Sequence, residues 1–139
     1  MTRTGPSRPG DASFAAGRLE SARAFHDAAR DAAALAGEGA NANPIVAQVV
    51  NATIAYADAL TATFSGRVNQ HDYAAVRKAL RAALGNRLPA AQERRLARIL
   101  GHKDEAQYGA GRIGLTRARQ LLEELDELAA WAEAELRRR

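Results

Sequence analysis

The sequence has no cysteine, which removes disulfides, zinc ribbons, iron–sulfur sites and cysteine nucleophiles in one step. Its absence agrees with a reducing cytosol, and a cytoplasmic location is the expectation. β-Branched apolar residues are also scarce: 5 Val and 4 Ile stand against 14 Leu and 34 Ala. That balance favours helix over sheet, because small and straight-chain residues lose little freedom in a helix. Residues 1–10 hold two Arg, two Pro and two Gly without an apolar run, so they read as a disordered lead-in, not a secretory signal.

What is present fits one globular unit. A chain of 139 residues is near the commonest domain size, so a separate cofactor lobe is excluded and residues 11–139 form a single domain. Apolar residues at 47% and charged residues at 26% exclude wholesale disorder and a collagen-like chain.

The formal charge of +4 suggests an acidic partner until the charge is located. Arg3, Arg8 and Arg137 to Arg139 supply five positive charges at the two ends, leaving residues 11–136 at −1. Inside that body, charge is segregated. Residues 77–98 hold Arg77, Lys78, Arg81, Arg87, Arg94, Arg95 and Arg98 against Glu93 alone. The last helix answers with Glu123, Glu124, Asp126, Glu127, Glu133 and Glu135 and no basic residue from 120 to 136. Such segments can be solvated faces, can pair with each other or with a second copy, or can present a polyanion-binding face.

Apolar spacing predicts five helices. The first covers Asp11 to Ala36, capped by Asp11 or Ser13 and stopped by Gly37 and Gly39. Asn43 as the cap accepting from an unpaired amide and Pro44 as the first helical residue open a second, to Phe64, in which Asp58 is the one charge; this makes it a central core helix, since Gln48, Asn51, Thr53 and Asp58 interrupt any membrane span. A short third helix runs from Tyr73 to Leu84, a fourth from Pro89 to Tyr108 with Gly101 as a weak point. The fifth, capped by Thr116, carries the strongest periodicity: Leu115, Ala118, Leu122, Leu125, Ala129, Ala132 and Leu136 follow a heptad seam. The fold class is therefore all-α, an up-and-down bundle of four to five helices.

Chemistry is harder to find. His26, His71 and His102 lie in separate segments, none with the i, i+4 spacing of a zinc site, and the Glu-x-x-His of a di-iron bundle does not occur; no metal and no cofactor are expected. Gly109-Ala110-Gly111 with Gly114 lacks the preceding strand and the Lys-Ser/Thr pair of a phosphate loop, so it reads as a helix–helix turn. Buried alone, Asp58 would cost several kcal/mol, so it needs an Asn, Tyr or Arg from another helix, or a cleft in which to act. Arg67, His71 and Asp72 can extend a polar patch around it, although Gln70 or Asp72 as a helix cap explains them equally.

The run Asn51-Ala-Thr-Ile-Ala-Tyr-Ala-Asp-Ala-Leu60, with Gly66, His71 and Leu96-Ala-Arg-Ile-Leu-Gly-His-Lys-Asp-Glu-Ala-Gln-Tyr-Gly109, resembles HEPN-domain proteins over roughly residues 12–136. The resemblance implies a dimeric four- or five-helix bundle. Active members are metal-independent ribonucleases, some of toxin–antitoxin type; others are non-catalytic RNA-binding or partner-binding modules. The family's Arg-polar-x-x-x-His motif falls on Lys103, Asp104 and Tyr108, so Lys replaces Arg and Tyr replaces His. A phenol with an ordinary pKa near 10 is a poor general base at neutral pH, where imidazole is suited. Arg95 and His102 fit a wider form of the motif, but seven residues put them two helical turns apart, about 10 Å of rise.

The expected function is thus a non-catalytic HEPN-like module that binds RNA or a protein partner, with Asp58, Arg67, His71, Lys103 and Tyr108 as candidate binding residues. The alternatives are a toxin-like ribonuclease, with His102 or His71 in a shared cleft with an Arg and Arg95, Lys103, Asp104 and Tyr108 as further candidates, and a purely structural or regulatory dimer. A homodimer is expected through the seam of the last helix or the face beside Tyr108. Lys103 and Tyr108 also admit a structural reading, a packed Tyr bonded to another helix with Lys snorkelling beside it.

Overall fold

The computed structural model describes residues 7–9, 12–69 and 75–138. Six α-helices dominate them: α1 (Ala12–Leu35), α2 (Asn43–Ser65), α3 (Val76–Leu84), α4 (Ala90–Leu100), α5 (Lys103–Tyr108) and α6 (Leu115–Arg137). The all-α bundle is as expected. Two short strands, β1 (Ser7–Pro9) and β2 (Arg67–Asn69), pair antiparallel, Arg8 opposite Val68. Part of the segment expected to be a disordered lead-in is therefore a strand, anchored beside the end of α2 where Val68 is buried.

Helix α2 is the centre. It packs against α1, α3, α4, α5, α6 and β2, and its residues from Ile45 to Ala62 are buried at most positions. One reason is its composition, since Val46, Val49, Val50, Ala52, Ala55, Ala59 and Leu60 offer short side chains on every face. Another lies in its neighbours: Ala22 and Ala29 of α1 and Ala118 and Ala132 of α6 are fully buried, and a methyl group lets two helix axes approach closely. By length and composition α2 is the one described helix that could cross a membrane, yet most of it is buried inside the protein.

Cross-contacts fix the helix directions. Arg23 meets Glu133 and His26 meets Asp126, so α1 and α6 run antiparallel. Arg95 and Arg98 reach Glu124 while Arg87, just before α4, reaches Glu135, so α4 also opposes α6. The seam of α6 is spent inside the chain: Ala118, Leu125, Ala129 and Ala132 are buried, and Leu115, Leu122 and Leu136 pack on the same core.

Three boundaries differ from expectation. The helix expected over Pro89 to Tyr108 is broken at Gly101-His102, where the His102 N–H bonds the Ile99 carbonyl (3.0 Å), three residues back instead of four. That tighter closure turns the chain and starts α5. Thr116 lies inside α6, whose cap is Gly114 without a side-chain bond. Asn43 does not cap α2 either; its Nδ2 donates to the Gly111 carbonyl (2.9 Å) and its Oδ1 accepts from the Ile113 N–H (2.7 Å).

Those two bonds, with Ala42 N–H to the Ile113 carbonyl (3.0 Å) and Arg112 to the Gly39 carbonyl (2.7 Å), stitch the loop before α2 to the loop before α6. The glycine-rich stretch is thus a helix–helix turn. At Gly109 the turn tolerates no side chain, because a Cβ would sit 2.7 Å from the Glu105 carbonyl oxygen. Asn43→Ala leaves two backbone groups of this junction unpaired and is expected to lower stability by about 1–3 kcal/mol, measured by urea denaturation; a loss below about 0.5 kcal/mol contradicts the clamp.

Candidate functional site

Among the described residues, those singled out by the family resemblance are held in separate side-chain contacts. Lys103 Nζ donates to Gln107 Oε1 (2.9 Å) and lies 5.4 Å from the centre of the Tyr108 ring, which is 77% exposed. The packed, bonded Tyr108 of the structural reading is overturned: α5 lasts only six residues and ends at Tyr108, so no helix covers the ring. His102 Nδ1 is 3.0 Å from Glu105 Oε1, whereas Arg95 Nε lies 3.4 Å from Glu124 Oε2, an oxygen that Arg98 also bonds at 2.6 Å. The candidate pair Arg95 and His102 is thus divided between two carboxylates on different helices.

The segregated charge is largely answered within the chain. Besides the Glu124 pairs, Arg81 bonds Glu93 (2.6 Å), with Arg77 at 3.9 Å, and Arg87 lies 3.8 Å from Glu135 and 4.6 Å over the Phe64 ring. Arg81 holds the Glu93 carboxyl below its ordinary value by a direct hydrogen bond.

Asp58 has the partner its burial demands, Arg18 of α1, at 3.2 Å. Burial pushes its carboxyl up to about 6, with Arg18 opposing by charge and by a hydrogen bond. Arg67 stands on β2, its amide bonded to Ser65 Oγ (3.1 Å), and His71 and Asp72 lie outside the described residues. Among the described residues, Asp58 sits in an α1–α2 ion pair.

A polar cleft of about 370 Å³ opens instead between α1 and α6, lined by Arg23, His26, Asp27 and Arg30 of α1, Tyr56 of α2, and Asp126, Ala129, Ala130 and Glu133 of α6. Ala129 and Ala130 are too short to close over the Tyr56 ring, so the gap stays open. Arg23 grips Glu133 with two bonds (2.7 and 2.6 Å), holding that carboxyl below its ordinary value. His26, 4% exposed, bonds Asp126 Oδ1 through Nε2 (2.7 Å), and Arg30 reaches the same oxygen at 3.4 Å. Because a carboxylate only accepts, Nε2 carries the proton of that bond. Tyr56, 3% exposed, meets the His26 ring edge-on at 6.2 Å, and among the described residues its hydroxyl has no hydrogen-bond partner. Burial, reinforced by Glu133, pushes the phenol up to about 12.

No family model matches the chain, and neither a curated protein nor a solved structure matches it.

The cleft was missed because each of its residues looks ordinary in its own segment. One signal was available. Arg23 and Arg30 are seven residues apart, as are Asp126 and Glu133, so antiparallel helices bring both opposite-charge pairs together. Among the described residues no three His, Asp or Glu side chains converge as a metal site.

The ionised Asp58 costs stability, since its folded value lies above its unfolded one; the cost grows as pH rises from about 4 through about 6. Asp58→Asn removes this titration. Relative to the parent, the variant is expected to gain ~1 kcal/mol of unfolding free energy between pH 5 and pH 7.5. Parallel pH profiles for the two proteins contradict the assignment.

Proposed function

We propose that this chain is a HEPN-like helical bundle that acts as a non-catalytic RNA-binding module, with its binding surface where α5 meets α6. The observation that carries this reading is the exposed Tyr108 ring with the Lys103 ammonium beside it, at the two positions that take the family's His and Arg. Arg112, Arg117 and Arg119 follow it, all exposed, so residues 103–119 carry four basic side chains against Asp104 and Glu105. An aromatic face amid surplus cations is the arrangement on which single-stranded bases stack while phosphates are neutralised. Cleavage is disfavoured, because a phenol in place of imidazole is a poor general base at neutral pH and His102 and Arg95 are held by separate carboxylates.

Leu35, 87% exposed at the end of α1, supports a second reading, a homodimer formed through the same end of the bundle. The loops that follow Leu35 and Tyr108 are bonded to each other, which sets both side chains on one end.

Labelled single-stranded RNA incubated with the protein in EDTA tests both. Retention without cleavage is expected, weakening with salt and falling roughly tenfold or more in Tyr108→Ala at unchanged molecular mass. Retention unchanged by Tyr108→Ala contradicts the surface. A dimer by light scattering that dissociates in Tyr108→Ala assigns that end to self-association instead. Cleavage that disappears in His102→Ala assigns the chain to the metal-independent ribonucleases.

A further inference from the structure

The α1–α6 cleft lies apart from the Tyr108 surface and has its own chemistry. Most of its hydrogen-bonding capacity is already committed: both Glu133 oxygens to Arg23, and Asp126 Oδ1 to His26 and Arg30. What remains is mixed. The Tyr56 hydroxyl can donate and accept, Arg23 Nη1 can donate, and Asp126 Oδ2 and His26 Nδ1 carry no hydrogen bond among the described residues. The Tyr56 hydroxyl opens onto the floor of the cleft with no protein partner among the described residues, placed to meet a donor or acceptor of whatever enters it.

The charge selects the class of ligand. Arg23 and Arg30 face Asp27, Asp126 and Glu133, so the Arg, Asp and Glu side chains of the lining sum to −1. A phosphate or carboxylate would enter against that sum, and an ammonium would enter against two guanidinium groups. A neutral, flat group that both donates and accepts hydrogen bonds meets neither penalty and matches the free Tyr56, Arg23 and Asp126 atoms. Nucleobases are that class, and the cleft is of a size to take one with its sugar.

Position points the same way. Along the antiparallel α1–α6 groove, Arg119 donates to the Ala33 carbonyl (3.4 Å) between the cleft and the Tyr108 end. His26 lies nine residues before Leu35, so the cleft sits about 13 Å along α1 from the end of the bundle where the loop after Tyr108 is bonded. We propose that the α1–α6 cleft is a nucleobase pocket in which a base of a single strand seated on Tyr108 is held by the Tyr56 hydroxyl against the His26–Asp126 and Arg23–Glu133 pairs. Its place on an RNA path rests on the reading under Proposed function; its preference for a neutral base does not.

The test titrates isotope-labelled full-length protein with uridine, cytidine, adenosine and guanosine, and separately with inorganic phosphate and with putrescine, following amide shifts of residues 126–133. At least one nucleoside is expected to shift these amides saturably. Tyr56→Phe is expected to weaken it three- to tenfold, the loss of one hydrogen bond. Ala130→Leu, at an exposed rim position that leaves the core intact, is expected to abolish it. No saturable nucleoside binding, saturation by phosphate or putrescine in its place, or binding that survives both substitutions overturns the pocket. Nucleoside binding kept in Tyr108→Ala supports a pocket separate from the RNA surface, and its loss there overturns that separation. Nucleosides bound by a protein that retains no RNA overturn the RNA path and leave the base pocket standing.

Discussion

Everything else in this fold depends on the burial of α2. A helix of 23 residues with Asp58 as its one charge cannot face water on any long side, so α1, α3, α4, α5 and α6 are arranged to enclose it. On α1 the enclosing surface is built largely from alanine, which contributes little transfer free energy per residue but permits close approach, while α3, α4 and α6 add Val76, Leu80, Leu96, Ile99 and Leu125. Fixing α2 fixes what it carries: Tyr56 at the floor of the cleft, Asp58 against Arg18, and Asn43 at the junction of the two loops.

The cleft follows from the same constraint. Tyr56 is the largest side chain on α2, and it falls where α1 and α6 meet mainly through charged side chains. Arg23, Arg30 and His26 on one wall and Glu133 and Asp126 on the other hold the helices together at their rims, while Ala129 and Ala130 leave space below. Partly exposed ion pairs of this kind contribute modestly to stability, so their geometry matters more to the shape of the gap than to the fold. At the bundle end, by contrast, α5 is too short to bury Tyr108, and the ring is left in water with Lys103 over it.

The fold was legible because its signals are local. Leucine and alanine spacing located the helices, Pro44 and Pro89 marked starts, and Gly37, Gly85 and Gly101 marked stops or a break. Asn43 was misread as a cap because a helix-start residue and a loop clamp look identical until the partner loop, 70 positions away, is known. Ser7–Pro9 was invisible as a strand for the same reason: its partner is Arg67–Asn69. The cleft depended on the register of α1 against α6, which no single segment encodes, although the matched seven-residue spacing of opposite charges held a trace of it. Asp58 was readable as a buried charge that needs a partner, but not as an Arg18 pair.

Residue-resolved amide hydrogen exchange tests the dependence on α2 most directly. The account predicts that the amides of Val46 to Leu60 exchange only through global unfolding, more slowly than any in α1 or α6, while those of α5 exchange through local opening. Faster exchange in the middle of α2 than in the middle of α6 would show that the bundle holds together without its central helix, contradicting the constraint on which the cleft floor and the loop junction rest.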